Sequence, residues 1–142
     1  QNILNIKTRL ETQAKTEFSQ ASARLDEEED KLRSLILRRR TYEDELKNAS
    51  NDKLDINKLK QYNNYIAVIK ELMEKQALQV RVAQKNLDKA REKLNKSMQE
   101  RKIHEKLREK AFDESKEELK AEEKKEIDQL VSFTYNDRGK KA

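Results

Sequence analysis

No cysteine, no proline and a single glycine, Gly139, occur in this chain of 142 residues. The lack of cysteine excludes disulfides, thiolate nucleophiles and cysteine-based zinc sites, and it fits a reducing compartment. Proline and glycine punctuate turns, so without them there is little to build a compact domain of many elements. Tryptophan is missing and aromatic residues make up 5%, so the large side chains that usually fill a core are scarce. No apolar run approaches the roughly 20 residues of a membrane span, and no secretory signal core is visible. The chain opens on Gln1 rather than methionine, so native residues are expected ahead of it.

Charge is what the chain has in quantity. Charged residues make up 43% and hydrophobic residues 34%, too polar for an ordinary globular core. Two classes remain, a disordered chain or long helices that bury one narrow stripe. The net charge of +5 is uneven. Residues 1–49 balance ten basic against ten acidic side chains, and residues 81–110 carry eleven basic against five acidic. Residues 100–130 reverse the sign, with nine basic against eleven acidic. Mixed charge of this kind reads as the solvated face of a helix.

Periodicity decides for helices. Phe18, Ala21, Leu25, Glu28, Leu32, Leu35, Arg39, Tyr42, Leu46 and Ala49 alternate steps of three and four, the seam of a coiled coil. Upstream, Ile6, Leu10, Ala14 and Phe18 step by four, which predicts a drifting stripe and a looser supercoil. Pairs such as Glu27 with Lys31 and Glu29 with Arg33 support the helix at i, i+4 spacing. The pattern stops at residues 47–53, rich in side chains that compete for backbone hydrogen bonds. Asp52 or Asp55 is suited to cap a second helix. That helix has a cleaner seam: Leu59, Tyr62, Ile66, Ile69, Met73, Gln76, Val80, Ala83, Leu87, Ala90 and Leu94. In the same register Ser97, Arg101, His104 and Arg108 are polar, so the seam is expected to end near Leu94.

The prediction is an all-α chain, a long antiparallel two-helix coiled-coil hairpin forming a single domain. Helix one covers about 3–49, the turn about 50–55 and helix two about 56–134, with a frayed tail at 135–142. Antiparallel pairing then sets residue i opposite roughly 105 minus i, and helix one runs out where the second seam fades. The same alignment puts the acidic run Asp26–Asp30 near Lys75 and Arg81. Residues 103–133 keep only a broken stripe (Ile103, Leu107, Ala111, Leu119, Ile127, Leu130), and helix two is expected to overhang by roughly 45 Å at 1.5 Å per residue.

Little in the sequence carries chemistry. His104 is the only histidine, and with no cysteine beside it neither a metal nor a cofactor site is expected. Carboxylates on extended helices do not converge in a desolvated pocket, and no glycine-rich phosphate loop exists. The basic runs Arg38–Arg40 and 81–110 could meet phosphates, but they lack interleaved aromatics, so no nucleic-acid partner is expected. Tyr65 and Leu72 flank the second seam and give helix two a wider apolar face than two-helix packing requires. That surplus fits either wide-seam packing or an exposed docking patch.

Four segments carry a family resemblance: Gln1-Asn2-Ile3-Leu4, Leu59-Lys60-Gln61-Tyr62-Asn63-Asn64-Tyr65-Ile66, Glu100-Arg101-Lys102 with Glu105-Lys106-Leu107, and Glu123-Lys124-Lys125-Glu126-Ile127-Asp128-Gln129. In this order they resemble the FliJ family of the bacterial flagellar type III export apparatus. The sequence departs from the family at Lys124, often glutamine there, and at Gln129, often glutamate. The resemblance implies a non-enzymatic stalk that binds the hexameric ring of the export ATPase FliI and links it to the export gate protein FlhA. Export chaperones are a further implied partner class. It also implies a cytoplasmic location, peripheral at the inner membrane without direct membrane insertion. Gate binding maps by resemblance to Tyr65, Ile69, Leu72 and Gln76. ATPase-ring binding maps to Ile3, Leu4, Arg101, Leu107, Lys125, Ile127 and Asp128. The alternatives from composition alone are a generic structural or tethering coiled coil, or a nucleic-acid-binding pair of basic helices.

Overall fold

The computed structural model describes the backbone of residues 3–51 and 55–141 and the side chains of residues 3–49 and 55–136. The described residues form two helices, α1 (Ile3–Asn51) and α2 (Ile56–Lys141), and no strand. The two helices pack against each other as an all-α hairpin. Asp55 stands at the head of α2, where its carboxylate accepts from the Asn57 N–H at 3.1 Å. Its carbonyl accepts from the Leu59 N–H at 3.1 Å, so the residue caps the helix and begins its hydrogen-bond ladder. Asp52, the other expected cap, lies outside the described residues. At its far end α2 continues to Lys141 rather than stopping near 134. No proline stands there to block the ladder, and the lone Gly139 costs only about 1 kcal/mol relative to alanine.

The chain divides into two compact units. The larger, Arg9–Ser97, is the coiled coil. Every position of the first seam from Phe18 to Ala49 is buried or half-buried, and so is every position of the second from Leu59 to Leu94. Leu25, Ala83 and Leu87 form the buried cluster, with Phe18, Ala21 and Val80 packed against it. The antiparallel alignment follows the expected rule. The Tyr42 and Tyr62 rings lie 6.5 Å apart, the Gln76 amide reaches the Glu28 carbonyl at 2.9 Å, and Lys93 meets Glu17 at 2.8 Å.

The packing departs from the sequence pattern in two places. Upstream of Phe18 the seam does not drift by fours, because Glu11 and Ala14 are buried while Leu10 is exposed. A helix carries its phase rigidly, so the packing downstream fixes which residues face inward, whatever their polarity. Glu11 is accommodated by Lys15 at 3.5 Å. The acidic run Asp26–Asp30 pairs within α1, Glu27 and Glu28 with Arg24 and Glu29 and Asp30 with Arg33, rather than with Lys75 and Arg81. Partners one turn away lie on the same face, whereas Lys75 and Arg81 are solvent-exposed on α2.

The smaller unit comprises Gln1–Thr8 and Met98–Ala142. Leu4 and Lys7 are half-buried in it while Ile6 is exposed, and Lys7 meets Glu100 at 2.9 Å. Burial does not stop with the apolar seam near Leu94, because Arg101 and His104 are half-buried as well. Long polar side chains can cover a seam with their stems while the heads stay wet, and the Arg101 head is held by Glu105 at 2.9 Å. From 106 to 136 every residue is exposed. Among the described residues no helix is long and apolar enough to cross a membrane.

Candidate functional site

The larger unit holds the four residues mapped to gate binding, and their surroundings differ. In heptad letters the α2 seam places Ile66, Met73 and Val80 at a, and Tyr62, Ile69 and Gln76 at d. Ile69 is 4% exposed and belongs to the core. Tyr65 and Leu72 sit on the g flank, 48% and 41% exposed. The Tyr65 ring leans against Tyr42 of α1 at 5.5 Å between centroids, which orients it without covering it. Val68, at c between them, is exposed too, and Leu78 and Val82 follow further along. Sequence reasoning passed over these three valines and leucines. The signal was available, since 65, 68, 72 and 82 recur with the heptad just outside the seam.

Gln76 is tied to α1. Its amide donates to the Glu28 backbone carbonyl at 2.9 Å and to the Glu28 carboxylate at 2.5 Å. Glu28 is 3% exposed, and its other carboxylate oxygen meets Arg24 at 3.0 Å and Lys31 at 3.6 Å. The hydrogen bond from Gln76 is the main reason the Glu28 carboxyl is held below the usual carboxylate range. Burial opposes this, and the charges of Lys31 and Arg24 reinforce it. A charged group at a d position is thereby satisfied on every side, and it fixes which stretch of α2 lies opposite which stretch of α1.

The smaller unit holds the seven residues mapped to ATPase-ring binding. Ile3, Leu107, Lys125, Ile127 and Asp128 are exposed, while Leu4 and Arg101 are half-buried. Ile127, Leu130, Val131 and Thr134 follow helical spacing and form one exposed face, and Phe133, 72% exposed, stands beside it. Leu130, Val131, Thr134 and Tyr135 line a shallow hollow there. Phe112 is also exposed, with the Lys116 ammonium 5.7 Å from its ring centre. The sequence pattern missed Val131 and Phe133 because they are extra to a stripe that is interrupted elsewhere.

These arrangements suit holding and docking. Among the described residues no group of three or more histidine or acidic side chains gathers as metal ligands would, and the buried carboxylates of Glu11 and Glu28 serve ion pairs along α1. No curated protein and no solved structure matches the chain. The family model described as flagellar FliJ protein does match, over residues 1–140 of the 142. The coiled-coil hairpin and a match of that extent lead to one conclusion: the chain belongs to the FliJ family, components of the flagellar protein export apparatus.

Proposed function

We propose that this chain is a non-enzymatic, stalk-like coiled coil that binds the hexameric export ATPase FliI and links it to the export gate protein FlhA. The observation that carries this reading is the stretch 106–136, a helix exposed at every residue and yet bearing Leu107, Phe112, Leu119, Ile127, Leu130 and Phe133. Apolar side chains exposed in such number on one segment are the mark of a surface that a partner covers. The ring residues Ile3, Leu4, Arg101, Leu107, Lys125, Ile127 and Asp128 all fall in the unit that contains this segment. A helix that contacts ring conformations unequally shifts their populations, which is how a passive stalk promotes assembly or hydrolysis. The gate contact falls to Tyr65 and Leu72 in the other unit, with Ile69 and Gln76 supporting them from the seam. Such a component works in the cytoplasm at the inner face of the membrane, and export chaperones are further partners.

The test uses the purified ATPase from the same bacterium. The full chain should co-elute with it, raise its hydrolysis rate and gain protection from amide exchange along 103–133. A chain truncated after Lys102 should lose the stimulation. Unchanged stimulation by the truncated chain, with no slowing of exchange in 103–133, overturns the ring reading.

A further inference from the structure

The g flank of α2 is one wall of a furrow whose other wall is on α1. Two contacts fix the sides of the hairpin. Lys93, at g of α2, meets Glu17, at g of α1, at 2.8 Å. On the opposite side Ile36, Lys70 and Ala77, all at e, line one shallow hollow together. The g flanks therefore face each other across the seam, and the e flanks do the same behind it. On the g side α2 presents Tyr65, Val68, Leu72 and Val82, all exposed. Tyr65, Val68 and Leu72 are spaced by three and four as the seam itself is, so α2 carries a short second apolar stripe beside the first, which Lys75 and Gln79 interrupt before Val82. From Tyr65 to Leu72 the stripe runs about 10 Å at 1.5 Å per residue, close to two helical turns.

The facing wall is basic. Arg24, Lys31 and Arg38 occupy successive g positions of α1, and all three are exposed. Arg24 and Lys31 are anchored on the buried Glu28 carboxylate, which aligns them along the furrow. Arg38 makes no ion pair or hydrogen bond among the described residues. Lys75 adds a fourth cation just past the α2 stripe, and Glu27 is the nearby acid, paired to Arg24 at 3.7 Å. An apolar strip flanked by cations on one side is complementary to a helix with an apolar face bordered by carboxylates.

We propose that this furrow seats an acidic amphipathic helix of the export gate as a third strand of the coiled coil. The apolar face of that helix covers Tyr65, Val68 and Leu72, and its carboxylates meet Arg38, Lys31 and Lys75. This rests on the gate reading above and adds to it the form and charge of the partner. One other candidate is within the chain itself, since residues 111–136 carry eight acidic against four basic side chains, and a second copy could offer them.

Titration calorimetry of the full chain against the cytoplasmic part of the gate protein FlhA separates these cases. Leu72→Ala should weaken binding about tenfold or more, as an interface anchor does. Arg38→Glu should weaken it about tenfold at roughly 50 mM salt, and the loss should shrink to about threefold near 500 mM as the charges are screened. Lys70→Glu, on the opposite side, should leave binding unchanged, and exchange in the gate protein should slow along an acidic helical segment. If Leu72→Ala weakens binding but Arg38→Glu is silent, or Lys70→Glu is equally damaging, the acidic helix is wrong and gate docking stands. If the wild-type chain does not bind, both readings fall. If the chain self-associates, Leu72→Ala abolishes that association and the gate protein competes for nothing, the furrow belongs to a second copy and the proposal is overturned.

Discussion

Ile69 and Leu72 stand three residues apart, and truncating each should damage a different property. Ile69 is 4% exposed at a seam position, so Ile69→Ala removes three buried carbons from the contact between helices. At about 0.8 kcal/mol per carbon the transfer loss is roughly 2.4 kcal/mol, and a residual cavity raises it to about 3–4 kcal/mol. For a chain of this size each kcal/mol lowers Tm by about 3–5 °C, so the variant should melt about 9–20 °C below the parent. Leu72 is 41% exposed on the flank. Leu72→Ala should cost about 1 kcal/mol of folding or less, a fall of no more than about 5 °C. Its penalty should appear in binding to the gate protein, about 1.4 kcal/mol or more, which is about tenfold or more in Kd. Thermal melts followed by helical circular dichroism, paired with titration calorimetry well below either Tm, measure both quantities. Equal losses of Tm for the two variants would refute the division between seam and flank.

Two further outcomes follow from the same geometry. Cysteines introduced at Leu25 and Val80, which pack in one cluster, should crosslink within a single chain under mild oxidation. Crosslinks found only between chains would falsify the hairpin. Glu28 has its carboxyl held below the ordinary range, so it stabilises the fold above the unfolded pKa of about 4.3 and loses that contribution as pH falls through the folded value. The stability gap between the parent and Glu28→Gln should therefore be full near neutral pH and narrow below about pH 4. A gap that stays constant as the pH is taken well below about 4 removes the account of Glu28 as a stabilising charged carboxylate.

The seam was legible from the residues alone because a coiled coil repeats one rule along its length. Even Glu28, Arg39 and Gln76, polar members of that rule, lie buried or half-buried where the spacing puts them. The errors arose where polarity was given more weight than phase. Leu10 and Ile6 looked like seam residues and are exposed, whereas Lys7 and Glu11 occupy the inward positions. Arg101 and His104 were read as the far side of a seam that had ended, yet both are half-buried. Counting apolar residues cannot see a long side chain that covers a neighbour with its stem. In the candidate site, Ile69 and Gln76 came from resemblance, although their own periodicity already assigned them to the seam. The Gln76–Glu28 contact was not legible, because a seam pattern does not say which polar side chains meet across it.

Tyr42 of α1 meets Tyr62 and Tyr65 of α2, and of the named contacts between the helices theirs closes the shortest loop of chain. Bringing two chain segments together costs an entropy that rises with the length of chain between them. The tyrosines are joined by a short stretch, whereas Glu28 and Gln76 are separated by 48 residues, Glu17 and Lys93 by 76, and Lys7 and Glu100 by 93. Once the tyrosines meet, each further contact closes only the small additional loop beyond the last one made. Loop entropy by itself therefore favours closure as a zipper that runs from the tyrosines to Lys7 with Glu100. The stretch 106–136 adds nothing to this closure, so its sequence is free to answer to a partner and not to the folding of its own chain.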